Sequence, residues 1–442
     1  LDEEERVRSS VVASVAWFAL LCVFLVPAAV ASDAATGKPT GNQRLGGLNG
    51  PLDLHNLLQH IEHRSSQKAS LFSASPLTPL HDSTASAKQQ LYDNTGLKLG
   101  FMFAHAFQAL SESLPGEDDW GTSSQANFIG TWEVLERGAP NQGQFYLDIE
   151  GRWGYDTTAV VDLGADGLGS AIWTANPFIK YDPTFIVRNA YWHQGSREAG
   201  WSYRLGKITP DQILQTSAHI SPLATFMPLA STGPFSIAVA DSGWGGAGAW
   251  YISDRMNVIG VVSDANADRL DRGDIAEGDL FKAIELQYKI APRTSKAGYS
   301  KLTLWHTDGS KDGAAHNGSL GPSGWGFMAK LEQELTDDGR HIGILRYGKG
   351  FDDSSLYERQ ASVHYLLYDP PIPLQHDLLG VGLAWAESGS NGLHGEYNAE
   401  IFYRFPMFPH VDATLSYQSI FKPAFTDDID QASAITLRLR TA

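Results

Sequence analysis

From Glu396 to the end of the chain, hydrophobic and polar residues alternate with a period of two. Tyr397, Ala399, Ile401, Tyr403 and Phe405 interleave with Glu396, Asn398, Glu400, Phe402 and Arg404. Val411, Ala413, Leu415 and Tyr417 then interleave with Asp412, Thr414, Ser416 and Gln418. Ser433, Ile435, Leu437 and Leu439 interleave with Ala434, Thr436, Arg438 and Arg440. Such a period predicts strands with one apolar and one polar face. Each run is about ten residues, the length at which a tilted strand crosses a bilayer. Tyrosine and phenylalanine near the ends of the apolar face suit an interfacial girdle.

Runs of this kind recur from Gly96 onward. They fall near 96–108, 123–137, 142–154, 184–194, 199–207, 245–252, 256–263, 279–291, 298–307, 322–334, 340–348, 358–368, 375–386, 395–405, 410–420 and 431–441. That is about sixteen strands, an even number as bacterial outer-membrane barrels have. The connections alternate. Short ones include 138–141, 195–198, 253–255, 336–339, 369–374 and 406–409; long ones include 109–122, 155–183, 208–244, 264–278, 308–321 and 421–430. Short turns at one rim and long loops at the other are the signature of a membrane barrel. The predicted fold is all-β: a transmembrane antiparallel up-and-down β-barrel over residues 94–442, with a short N-terminal helical segment. The 208–244 connection carries Ile213, Ile220, Phe226, Met227, Phe235 and Ile237. A long, partly apolar loop has to bury itself, so it is expected to fold into the lumen and narrow it.

Parity then sorts the side chains. Phe145, Leu147, Ile149 and Trp153 go to lipid, while Tyr146, Asp148, Glu150 and Arg152 go inward. Trp201, Tyr203 and Leu205 go out and Arg204 goes in; Ile284, Leu286 and Tyr288 go out, with Glu285, Gln287 and Lys289 in. Lys301, Thr303 and Trp305 turn inward opposite Leu302 and Leu304, and Glu400, Arg404 and Asp412 also face in. Arg346 shares its parity with Ile342 and Ile344, so only its charge points it inward. Arg188 and Trp192 share a face in a strand that is apolar on both sides. The lumenal candidates are Arg188, Trp192, Arg204, Trp305, Arg346, Glu400 and Arg404. Guanidinium and carboxylate groups hydrogen-bond hydroxyls, and flat aromatic rings pack on the apolar faces of sugar rings. The plainer role for each charge is to pair with its neighbours and brace the wall.

At the N-terminus, Val11–Ala28 is an apolar run after Arg6 and Arg8, followed by Ala29-Val30-Ala31. This pattern predicts a signal peptide over 1–31. Residues 32–93 are expected to form a periplasmic segment, with a helix near 51–64 because Leu54, Leu57, Leu58 and Ile61 share one face. His55, His60 and His63 lie there without acidic or thiol partners, so no metal is assigned. The only cysteine, Cys22, lies in the predicted leader, which leaves no disulfide framework. Charged residues are 19% of 442 and the net charge is −17. This acidity argues against a nucleic-acid partner.

Motif searches assign no chemistry. Gly243-Trp244-Gly245-Gly246-Ala247-Gly248 matches a dinucleotide-binding spacing, but Ala249-Trp250-Tyr251-Ile252 continues as strand where a helix is required. Asp264-Ala265-Asn266-Ala267-Asp268 opens like a calcium loop, yet its sixth position is Arg269. No catalytic residue, cofactor or metal is assigned.

Asn189-Ala190-Tyr191-Trp192-His193-Gln194, Tyr203-Arg204-Leu205-Gly206-Lys207, Gly243-Trp244-Gly245 and Glu396-Tyr397-Asn398 with Glu400-Ile401-Phe402-Tyr403 together resemble the carbohydrate-selective porins of the OprB family. Leu415 to Gln418 and Lys422-Pro423 extend the resemblance, which covers roughly residues 90 to 442. It departs from the family at the end, Arg440-Thr441-Ala442, where such proteins carry an aromatic residue. The resemblance implies a sixteen-stranded outer-membrane barrel that passes sugars by diffusion. The partners expected are small sugars, outer-membrane lipid and lipopolysaccharide, with a homo-oligomer open. A general or differently selective porin, a secreted soluble polysaccharide-binding β-protein and an outer-membrane enzyme are the alternatives.

Overall fold

The computed structural model describes residues 48, 70–72, 78–155, 157–180, 184–217, 219–270, 275–290, 298–310, 318–371 and 377–441. The predicted leader over 1–31 and the predicted helix near 51–64, with its three histidines, lie outside these residues.

Sixteen strands form one closed antiparallel barrel among the described residues. The first half comprises β1 (Leu97–Leu110), β2 (Trp120–Leu135), β3 (Gly143–Gly154), β4 (Phe185–Ser196), β5 (Trp201–Ile208), β6 (Gly243–Tyr251), β7 (Met256–Asp264) and β8 (Leu280–Ile290). The second comprises β9 (Gly298–Thr307), β10 (Gly324–Glu334), β11 (His341–Gly350), β12 (Tyr357–Tyr368), β13 (Leu378–Ser388), β14 (Glu396–Phe408), β15 (Val411–Phe421) and β16 (Gln431–Thr441). Each strand pairs with its sequence neighbours, and β1 pairs with β16 from Phe103↔Thr441 to Leu110↔Ala434. Closure leaves no sheet edge, so every ladder amide in the wall has a partner without water.

The predicted runs match these strands to within three residues at either end. One rim carries the loops 111–119, 155–184, 209–242, 265–279, 308–323, 351–356, 389–395 and 422–430. The other carries the turns 136–142, 197–200, 252–255, 335–340 and 409–410, and the β8–β9 and β12–β13 connections. The asymmetry is that of a membrane barrel, but it is not strict: 351–356 and 389–395 are as short as the turns opposite.

The outer face is apolar. Phe101, Phe128, Leu147, Leu205, Ile284, Leu302, Leu345, Val363, Leu415 and Leu437 are all exposed there. Aromatic rings cluster toward both rims. Trp132, Phe145 and Trp192 adjoin one another near the short-turn rim, with ring centroids 6.4 and 4.8 Å apart. Trp325 stacks on Phe351 at 4.3 Å near the long-loop rim. An apolar band between two aromatic girdles is what a bilayer solvates.

In the segment before the barrel, where a helix is expected only near 51–64, Thr78–Thr95 forms helix α1. Ala85, Ala87, Lys88, Gln89, Gln90 and Leu91 are good helix formers, although they draw no strong apolar stripe. The helix stops at Gly96, whose φ of +76° only glycine adopts freely. Arg137 from the 136–142 turn then donates to the carbonyl oxygens of Tyr92 and Asp93 at 3.3 and 3.2 Å. The Tyr92 carbonyl also accepts the Gly96 N–H at 2.7 Å, and the guanidinium ties the end of α1 to the short-turn rim.

The hydrophobic core lies inside the barrel, between wall and loops. Its largest cluster joins Met102 and Ala104 of β1 to Val160 and Phe178 of one loop, and to Ile213, Met227 and Ile237 of another.

Candidate permeation constriction

Two long loops fold into the barrel. The predicted one, 209–242, makes a circuit of the inner wall and is held mostly by its backbone. Gln215 donates its N–H to Glu285 at 2.7 Å. Lys301 reaches Thr216 Oγ1 at 2.9 Å, and Lys330 donates to the Gln215 and Thr216 carbonyls. Arg438 donates to the Pro222 and Thr225 carbonyls at 2.6 and 2.7 Å. Arg404 donates to the Ala224 carbonyl at 3.4 Å, and Met227 donates its N–H to Glu400 at 2.9 Å. Arg346 donates to the Ser231 and Ala230 carbonyls, and Gln360 donates to the Ala230 and Gly233 carbonyls at 2.7 and 2.8 Å. The loop has few charges of its own, so wall cations satisfy peptide carbonyls that water would otherwise hold.

Apolar contacts lock the same circuit. Phe226 meets Phe402 edge-on at 4.9 Å and His364 at 4.5 Å. Ile220 clusters with Ile342 and Ile344. Fully burying one such side chain contributes about 1.5–3 kcal/mol.

The second inserted loop, 155–184, was not foreseen. Its Val160, Leu163, Leu168, Ile172 and Phe178 are buried. Ser170 and Ala171 donate to Glu396, and Gln418 donates to the Thr174 carbonyl at 2.7 Å. The loops also bond to each other: Leu229 N–H to the Ile172 carbonyl at 2.8 Å, and Asn176 N–H to the Met227 carbonyl at 2.9 Å. The apolar spacing of Val160-Val161, Leu163, Leu168 and Ile172-Trp173 carries the same signal as the other loop.

Where the loops meet β3 and β4, charge is concentrated. Arg188 binds Asp241 at 2.5 Å and lies 4.0 Å from Asp211; Arg269 lies 3.3 Å from Asp241. Arg152 pairs with Glu150 at 3.0 Å. Burial pushes the Asp241 carboxyl up, but Arg188, the Ser242 N–H and Arg269 outweigh it and hold it below the usual aspartate range.

Six of the seven lumenal candidates face inward and are buried: Arg188, Arg204, Trp305, Arg346, Glu400 and Arg404. They do not form one cluster but lie around the wall; three of the six, Arg346, Glu400 and Arg404, bond to loop backbone. Arg204 donates to the carbonyl of Leu48 instead, with its guanidinium 4.8 Å from the Tyr191 ring. Trp305 packs in the largest core cluster.

Trp192 is the correction. In the β3–β4 ladder Asp148 faces Asn189 and Ile149 faces Val187, which leaves Arg188 as an extra residue. Such a bulge reverses the alternation beyond it. Arg188 and Trp192 therefore point to opposite sides, and Trp192 lies on the outer face against Phe145. Ile342 and Ile344 also differ from a simple polar lining, because they face in with Arg346 to receive the apolar loop. Arg438, Lys330 and Gln360, which hold the loop as firmly as the candidates do, were not singled out from the sequence. Gly243-Trp244-Gly245-Gly246-Ala247-Gly248 lies in strand β6.

No family model matches this sequence, and no curated protein sequence matches it. Among solved structures, the high-pH form of OprB from Pseudomonas putida superposes with a TM-score of 0.65 at 15% identity, covering 81% of this chain and 97% of that one. The low-pH form gives a TM-score of 0.51 at 11% identity, covering 81% of this chain and 96% of that one. An engineered porin of Rh. blastica gives 0.44 at 11%, covering 78% and 99%. What the likeness to OprB establishes is the fold of this chain.

Proposed function

We propose that this chain is a passive outer-membrane porin with a preference for small sugars. The observation that carries the reading is a closed barrel with an apolar outer band, whose polar inner wall grips an inserted 209–242 loop. A soluble polysaccharide-binding protein has no use for such a band. The fold shared with OprB adds weight to the sugar preference, as does a lumen lined by both signs of charge rather than a ring of one sign. In this reading the short turns face the periplasm and the long loops face outside. Outer-membrane lipid and lipopolysaccharide surround the wall, with a homo-oligomer open. Solute moves down its gradient through several weak contacts, since one tight site blocks exit. No reaction is catalysed.

The test is conductance in planar bilayers titrated with glucose, after heat-modifiable gel mobility has verified the folded barrel. The expected result is ion-conducting steps that glucose reduces in a saturable way. Steps that ignore glucose but are reduced by anions or peptides would overturn the sugar preference, and an absence of steps would overturn the porin.

A further inference from the structure

Away from the loop circuit, toward the short-turn rim, the inner wall holds a compact polar–aromatic group. Tyr146 and Tyr191 stack with ring centroids 4.6 Å apart and planes 12° from parallel. Arg204 lies over the Tyr191 ring. Tyr251 and Ser202 share a hydroxyl–hydroxyl contact of 3.2 Å beside it. The group is occupied by the chain itself. Leu48 comes from well before the barrel in sequence, yet only 2% of its surface is exposed. Its carbonyl accepts from Arg204, and its side chain joins the large core cluster that also contains both tyrosines.

A pyranose can take the place of the Leu48 carbonyl and also meet the neighbouring phenol and tyrosine ring. A hydroxyl or ring oxygen accepts from the guanidinium, a second hydroxyl bonds the phenol, and the ring's C–H face packs on tyrosine. We infer that Arg204, Tyr191, Tyr146, Tyr251 and Ser202 form a second sugar-contact station, which Leu48 covers and sugar competes to uncover. The inference rests on the sugar reading above. Arg346, Arg404 and Glu400 take no part in it.

A competitor tethered in the same chain lowers apparent affinity by the fraction of time that the station is free. Leu48→Gly and Leu48→Ala weaken that competitor without touching the station. The experiment is glucose titration of single-channel current for the wild type, both Leu48 variants and Leu48→Gly/Arg204→Gln, each verified as folded by heat-modifiable mobility. The expected result is that both Leu48 variants lower the half-blocking glucose concentration by about five-fold, and that Arg204→Gln removes the gain. If glucose blocks the wild type and the Leu48 variants equally, the station is wrong while the sugar porin stands. If the gain survives Arg204→Gln, the site lies elsewhere and the inference also fails. If glucose blocks none of the proteins, the sugar reading falls and this inference with it.

Discussion

Single residues decide whether the inserted loop stays put. Arg346 is buried and donates to two loop carbonyls and to Ser362 Oγ at 3.2 Å. Arg346→Ala leaves the Ser231 carbonyl unsatisfied, at about 1–3 kcal/mol, while the Ala230 carbonyl keeps its bond from Gln360. The expected outcome is a lower unfolding temperature of the heat-modifiable band and noisier, larger current steps; Arg346→Lys restores only part, because an ammonium lacks the planar fork. Asp241 holds the far end of the loop. Its folded pKa lies below the ordinary 3.8, so its contribution is complete above that pH and is lost as pH falls through the lower folded value. Asp241→Asn removes the carboxylate nearest the buried Arg188, leaving Asp211 at 4.0 Å, and costs on the order of 3 kcal/mol. It is expected to destabilise the barrel at neutral pH and to remove the acid-dependent step in the wild type's unfolding curve. Trp192→Ala, on the outer face, is expected to leave glucose block unchanged; a large rise in the half-blocking concentration would return this ring to the lumen.

At the scale of elements, loop and wall fit closely. A Cβ on Gly382 of β13 would sit 2.8 Å from Phe226 Cε1 and 2.7 Å from His364 Cδ2. Gly382→Val therefore displaces Phe226, and with it the loop. The expected readout is protease cleavage within 209–242 in the variant but not in the wild type, with the barrel still resistant. The same scale shows what the sequence makes legible. Strands such as β9 and β16 are evident because every second residue answers to one solvent, lipid, which is uniform along the strand. The inner wall answers to a mixture of water, loop backbone and loop side chains. That is why Ile342 and Ile344 face inward against a polar expectation, and why the 155–184 loop was read as an ordinary external one. The β4 bulge is harder still. Nothing in Arg188-Asn189-Ala190 marks the extra residue, because Ile186 and Val187 are both apolar and either can face lipid. Helix α1 is hidden for another reason: its sequence shows no strong apolar stripe.

At the scale of the whole molecule, the closed barrel has an apolar outer face and carries a core of its own inside. Its net charge of −17 does not describe the wall. Lys301, Lys330 and Arg346 sit in register on three adjacent strands of the inner face, Lys330 opposite both others. Like charges so placed repel, and loop oxygens together with Glu285 and Glu332 offset them. The porin reading depends on one arrangement: odd-numbered side chains of β16 meet lipid and even-numbered ones do not. Spin labels placed singly along Gln431–Thr441, in protein reconstituted into lipid, test this directly. Oxygen accessibility is predicted to peak at 435, 437 and 439 and to fall at 434, 436 and 438, with a water-soluble nickel relaxer excluded from the odd positions. Labels that show no two-residue period, or odd positions that the nickel reagent reaches freely, would contradict it.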